Sequence, residues 1–183
     1  MTQVCIVGDR EVNLQYELLS RETARDALAT YDLHEHFENA LAVETVSLGA
    51  AVSLLNDLNW YLVRFARDAF VLEPSVSETE WLSRELAAAI RDNELDPAET
   101  DRFLKVYGVV EPEAEPASEN DAPEGEENDG RPPEPTAERA PDLVEPMYVA
   151  RTGPELPEYD LREVDDTLVV RVREDEFGGE KQR

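Results

Sequence analysis

Little in this 183-residue chain is basic or sulfur-bearing. Cys5 is the only cysteine, so no disulfide closes within the chain and no cysteine-based metal cluster forms. The 17 basic residues are 15 arginines and two lysines, Lys105 and Lys181, and histidine occurs only at His34 and His36. No G-x-S-x-G is present, which removes the nucleophile elbow of a serine hydrolase. The opening "MTQVCIVGDREVN" lacks the basic flank and long apolar stretch of a secretory signal, so the expectation is a cytoplasmic protein. Long apolar runs are missing as well. The best membrane candidate, "SLGAAVSLLNDLNWYLVRF" at 47–65, is interrupted midway by Asn56, Asp57 and Asn59. A spanning helix needs ~20 predominantly apolar residues, and an Asp at its centre is costly. No membrane association is expected.

Carboxylates fill the space the bases leave. There are 43 acids, and the formal net charge is -26. An acidic excess with almost no lysine points to adaptation to high salt. In ~1 M salt the Debye length falls to ~3 Å, so a dense carboxylate shell becomes tolerable. The competing reading is an ordinary acidic protein with a disordered tail, but the excess also runs through the apolar part of the chain. Nucleic-acid binding is disfavoured, because it normally rests on a basic surface that releases counterions. No zinc, recognition-helix or RNA-stacking signature is present.

Composition divides the chain. Residues 1–110 hold 20 acids, 9 bases and nearly all the large apolar residues. Residues 111–145 hold 13 acids, 2 bases and seven prolines. The text "EPEAEPASENDAPEGEENDGRPPEPTAERAP" cannot bury enough apolar surface to offset its conformational entropy, so 111–145 reads as a disordered acidic linker. Residues 146–177 carry two strand patterns, "MYVART" and "DTLVVRVRE", and 178–183 should fray. In the second pattern Leu168, Val170 and Val172 share one face. Two strands alone are marginal in water, so they need a surface: the sheet of their own core domain, or a partner.

Within 1–110 both periodicities occur. "QVCIVG" and "ALAVETV" read as strands, and "NLQYELL" as a half-buried strand with Leu14, Tyr16 and Leu18 alternating. Ser20 caps a helix through Tyr31, and Ser47 caps one carrying Leu48, Ala51, Val52, Leu55 and Leu58. "WYLVRF" reads as a buried strand, paired through a turn at Arg67 and Asp68 with "AFVLE". Ser77 and Glu80 form a capping box for a helix bearing Leu82, Leu86, Ala89 and Ile90. Asp96 and Pro97 start a short helix through Phe103, Leu104 and Tyr107 that Gly108 stops. The expected fold is α/β: a mixed sheet packed by about four helices, with a C-terminal β-strand appendage after the acidic linker.

Candidate chemistry is sparse. Gly8 and Asp9 follow the first strand where a phosphate-binding turn would lie, but one glycine beside an acid is a poor cradle. His34 and His36, with Asp32 or Glu38, have metal-ligand types without the convergence a site needs. Cys5 sits between Val4 and Ile6 and reads as core rather than as a nucleophile, and Glu44 reads as a solvent-facing strand residue. Arg151, Arg171 and Arg173 make either a small cationic patch or pairs with the protein's own carboxylates. The strongest interior candidate is the polar break: Asn56, Asp57 and Asn59, with Trp60 and Arg64, read either as a helix stop or as the rim of a pocket or interaction surface.

The stretches "VCIVG", "YELLSRETARDALATYDL", "ENALAVETVSLGAAVSLLNDLNWYLVRF", "LEPSVS", "EWLSREL" and "VYGV" resemble a small haloarchaeal family known only as a domain of unknown function. The resemblance covers about residues 3–110. It implies a salt-adapted cytoplasmic protein and brings no activity. No motif calls for a cofactor or metal. The leading reading is a non-enzymatic protein-interaction or regulatory module with an unidentified protein partner, as a monomer or small homo-oligomer. The alternatives are a small-ligand or nucleotide-binding protein, possible as an enzyme, and an RNA-associated accessory factor.

Overall fold

The computed structural model describes residues 1–112, 140–153, 155–156 and 158–176, and its first strand shows how the layers form. In β1 (Thr2–Gly8), Val4 and Ile6 enter one apolar cluster while Cys5 and Val7 enter another on the opposite face. A strand buried on both sides needs apolar residues at consecutive positions, as "VCIV" supplies. Around β1 lies a seven-stranded mixed sheet made of β1, β2 (Ala40–Thr45), β3 (Ala66–Leu72), β4 (Trp81–Ser83), β5 (Phe103–Val110), β6 (Asp142–Ala150) and β7 (Asp166–Arg171). The strand order is β2-β1-β3-β4-β7-β5-β6, with β4 and β7 the parallel pair.

Five helices cover one face: α1 (Leu14–Leu19), α2 (Glu22–Leu28), α3 (Leu48–Asp57), α4 (Asn59–Phe65) and α5 (Arg84–Arg91). Their inward residues, among them Leu14, Leu18, Leu28, Leu55, Leu58 and Leu86, pack on Val4, Ile6, Val71 and Leu82 of the sheet. The other face curls on itself. Flat strands lie ~4.8 Å apart, so β3 and β5, three places apart in the order, would be separated by ~14 Å. Yet Lys105 Nζ on β5 lies 2.8 Å from Asp68 Oδ2 on β3. The Glu38 N–H, just before edge strand β2, donates to the Pro141 carbonyl just before the other edge strand, β6 (2.8 Å). Phe70, Trp81, Tyr107, Leu143, Leu168 and Val170 fill the resulting concave core.

Several local expectations are corrected. "NLQYELL" is helix, not strand: the Tyr16 N–H donates to Asn13 Oδ1 (3.0 Å), and Leu14 and Leu18, one turn apart, are buried while Tyr16 points out. "WYLVRF" is also helix, with Leu62 inward and Asn59, Trp60, Val63 and Arg64 exposed. The helical run therefore continues from Leu48 to Phe65 with one break at Leu58 (φ -91°, ψ 2°). Asn56 and Asp57 end α3 and Asn59 starts α4, so the polar triplet does not link a helix to a strand. No hairpin follows, because Arg67 and Asp68 lie inside β3, which pairs with β1.

Ser77 Oγ does accept the Glu80 N–H (3.0 Å), but no helix starts there. Trp81–Ser83 is β4, and α5 begins at Arg84, capped by Ser83 Oγ on the Leu86 N–H (3.1 Å). The Ser20 position closes α1; α2 starts after Arg21 without a side-chain cap. Asp96 caps only a 3₁₀ turn, Pro97–Glu99, and Phe103, Leu104 and Tyr107 belong to strand β5. Gly108 sits at a shift of register between β5 and β6 rather than at a helix end. A Cβ there would lie 2.5 Å from Val164 Cγ1 and 2.7 Å from Val144 Cγ2, so the close approach of the 159–164 segment requires glycine.

In β7 the alternation is as expected, with Leu168 and Val170, and Val172 beyond, all buried. β7 lies between β4 and β5, and β6 lies outside β5. Most of the expected linker, 113–139, and the expected frayed tail, 178–183, are outside the described residues. Asp142–Glu145 belong to β6.

Candidate functional site

α3 and α4 meet at Leu58, and the residues around that break spread over the surface. Asn56 Oδ1 accepts from Arg84 Nη2 at the start of α5 (3.3 Å), and Asp57 is exposed. Trp60 is 48 % exposed and Val63 68 % exposed. One turn on, the Arg64 guanidinium stacks on the Trp60 ring (3.7 Å to the centroid) while its Nη1 donates to the Trp60 carbonyl (2.8 Å). Arg21 reaches the same ring from the start of α2 (5.6 Å). The structure thus brings Trp60 and Arg64 together, adds Arg21 and Val63, and sends Asn56 to the α5 side.

Beside Val63 a groove of about 480 Å³ opens between α4 and α5, with Leu62, Ala66 and Ala88 in its apolar lining and Arg67, Asp68, Arg84, Glu85 and Glu176 in its charged lining. It exists because β4 is only three residues long. The chain leaves the sheet at Ser83 to form α5, and β3 continues past it without that neighbour. Through this gap the groove meets a second cavity of about 250 Å³ on the concave face, lined by Lys105, Tyr148, Val170 and Val172. Arg67, Asp68, Ser83 and Glu176 border both.

In a chain so rich in carboxylates, Arg64, Arg67 and Arg84 have none within 4.0 Å among the described residues. Arg67 Nη2 donates to the Leu143 carbonyl (2.8 Å), and its buried Nε has no partner among the described residues. Deeper in, Asp68 Oδ2 accepts from both Lys105 Nζ (2.8 Å) and the Tyr107 hydroxyl (2.5 Å). Burial works against the Lys105 ammonium, but the Asp68 carboxylate outweighs it and holds the pKa above the usual lysine value. Burial and the same carboxylate also push the Tyr107 phenol up. Cys5 is buried, and burial followed by the Asp68 charge raises its thiol well above the ordinary range. All three groups hold their protons at neutral pH, so Cys5 offers no thiolate there.

The other candidates resolve into structural roles. Asn39, in a left-handed conformation (φ 56°), donates to the Asp9 and Val12 carbonyls and accepts from the Leu14 N–H. Its side chain crowds Gly8, where a Cβ would lie 2.7 Å from Asn39 Nδ2, and a cavity of about 320 Å³ opens beside it, lined by Gly8, Arg10, Glu38, Asn39, Arg67 and Asp142. His34 bridges to Ala42, while His36 sets its ring edge-on to Phe37 (4.6 Å), where desolvation lowers its pKa. Among the described residues no group of three His, Cys, Asp or Glu is placed to hold a metal. Glu44 is exposed between buried Val43 and Thr45.

Glu80 Oε1 accepts from both Arg151 Nη2 and Arg171 Nε (3.0 Å each), and Arg173 lies near Asp175 (3.5 Å) and Glu94 (4.0 Å). Those arginines therefore pair internally. Asp68, Lys105, Ser83 and Glu176 were not found by sequence reasoning. One signal was available: Lys105 is one of two lysines in a chain that otherwise uses arginine.

A family model matches residues 2–109, from β1 to the end of β5. The chain belongs to DUF5804, a family of unknown function. The DUF5804 match takes in α4, α5 and the groove between them, and stops before β6, β7 and Glu176. Comparison with curated proteins and with solved structures returned no match. Among the described residues no helix is long and apolar enough to cross a membrane.

Proposed function

We propose that this DUF5804 protein is a non-enzymatic interaction or regulatory module of a salt-rich cytoplasm. It recognises an acidic, partly apolar segment of a partner protein across α4 and the α4–α5 groove. The observation that carries this reading is the outer face of α4. Trp60 and Val63 stand exposed beside Arg64, with Arg67 and Arg84 in the adjoining groove and, among the described residues, no carboxylate within 4.0 Å of any of the three arginines. An aromatic anchor flanked by arginine suits a protein interface. Acids on that segment would face Arg64, Arg67 and Arg84, beside the groove's own Asp68, Glu85 and Glu176.

The test is capture in native salt by the full chain and by Val63→Glu, which places a carboxylate on the patch. A stoichiometric partner held by the first and reduced at least tenfold by the second supports the reading. Recovery of no stoichiometric protein, or equal recovery by both, removes it.

A second reading, small-ligand binding, is favoured by the buried Arg67 Nε and by the 250 Å³ cavity beside Lys105 and Tyr148. A thermal-shift panel of nucleotides and metabolites in high salt decides it: no shift with any compound retires it. The RNA reading is the less favoured one, because Glu80 pairs with Arg151 and Arg171 and leaves Arg173 as the more exposed arginine of that patch.

A further inference from the structure

β5 closes the part of the chain that the family model matches, yet among the described residues no strand of that part pairs with it. β6 flanks it on one side and β7 on the other, and both lie beyond residue 109. β4 also depends on this segment: its neighbours are β3 and, in parallel, β7. Without β6 and β7 the matched part would keep the sheet β2-β1-β3-β4, with β5 detached from it. A lone strand leaves backbone N–H and C=O groups unpaired along both edges. The concave core divides in the same way. Leu143, Leu168, Val170 and Val172 are four of its twelve buried residues, packed with Phe70, Trp81, Tyr107 and Val109 of the matched part.

Polar contacts cross the same boundary. Glu80 Oε1 accepts from Arg151 Nη2 and Arg171 Nε (3.0 Å each), and Arg171 Nη1 donates to Thr100 Oγ1 (3.3 Å). Arg10 and Arg67 both donate to the Leu143 carbonyl (3.2 and 2.8 Å). Val110 and Asp142 are ladder partners, so residues 111–141 join two neighbouring positions that a turn of ~2 residues could join. Register here is set by the strands and their buried faces, not by a tight turn.

We propose that the gap between β4 and β5 is a strand-acceptor site, and that residues 140–176 are its donor, held by noncovalent contacts and replaceable by the same segment of a second copy. The site takes a strand parallel to β4 and antiparallel to β5, apolar at alternate positions as in Leu168, Val170 and Val172. A second strand of the same segment covers the outer edge of β5. Core and appendage are then one folding unit in two pieces. Trp60 and Val63 take no part in it, so the partner reading stands or falls separately.

The experiment uses the full chain with one protease site placed within 113–139, cut after folding in molar salt. The two pieces should run together through a sizing column, with circular dichroism unchanged. Cut and uncut proteins are then unfolded in urea and refolded with a labelled 140–176 peptide in tenfold excess. The peptide should enter the cut protein and stay at least tenfold lower in the uncut one, where the tethered donor competes at ~mM effective concentration. Val170→Asp in the peptide puts a carboxylate into the concave core and should reduce entry at least tenfold. Thr167→Ser, at an exposed position of β7, should leave entry unchanged. Pieces that separate on cutting, a peptide that never enters the cut protein, or equal entry of the Val170→Asp and unmodified peptides would each overturn the proposal.

Discussion

Asp68 is the residue on which the curled sheet closes, because Lys105 and Tyr107 reach it from a strand three places away. Asp68 and Lys105 are 17 % and 16 % exposed, so the pair is shielded and its loss is felt. Asp68→Asn leaves the ammonium without its counterion and should cost about 2–3 kcal/mol, since breaking a buried pair costs ~3–5 kcal/mol and this one is partly wet. Urea denaturation in constant salt checks it. The pH dependence follows from the raised values of Lys105 and Tyr107. A group whose folded pKa exceeds its unfolded value stabilises fully below the unfolded value. That contribution is lost as pH rises through the folded one. The unfolded values are ~10 for tyrosine and ~10.4 for lysine, so this contribution is flat through neutrality and declines only above about pH 10. In Asp68→Asn the alkaline decline should begin earlier, read as melting temperature against pH.

At the scale of elements, legibility depended on whether burial left a single periodicity. In α3, Ala51, Val52 and Leu55 follow helical spacing and are buried, and in β7 strict alternation marks the inner face. α1 misled because Leu14, Tyr16 and Leu18 satisfy period two, while Leu14 and Leu18 alone satisfy a helical turn. In α4 the outward residues include Trp60 and Val63, so the polar stripe that identifies a surface helix is largely absent and the run imitates a buried strand. β5 was hidden by a real cap at Asp96 that starts only a three-residue turn, and by burial on both faces. Within the candidate site, Trp60 and Arg64 could be singled out because they follow the polar break at 56–59, but their pairing one helical turn apart was hidden by the strand-like pattern. Ser83 and Glu176, 93 residues apart, come together only because β4 and β7 pair as parallel neighbours. Gly108→Ala tests the packing at the β5 shift of register. The added methyl must displace Val164 and Val144, and overpacking of this kind costs about 1–3 kcal/mol, read as a lowered denaturation midpoint.

For the whole molecule, the -26 charge and the α/β scaffold act together. The apolar clusters on both faces of the sheet hold the chain compact, while the carboxylate excess opposes compaction wherever salt does not screen it. Under the proposed salt adaptation, dialysis from molar salt to ~10 mM, where the Debye length is ~30 Å, should unfold the protein. Circular dichroism unchanged by that dialysis contradicts the adaptation. Against this acidic background the α4 face, with its exposed Trp60 stacked under Arg64, is the surface feature that the partner reading explains. A photoreactive phenylalanine analogue at position 63, introduced into the full chain in cells at native salt, tests it most directly, with the same analogue at Val46, which is 82 % exposed before the opposite end of α3, as the control. The account expects one dominant protein adduct from position 63, mapped to an acidic segment of the partner and absent from position 46. No adduct at 63, or the same adducts from both positions, would contradict it.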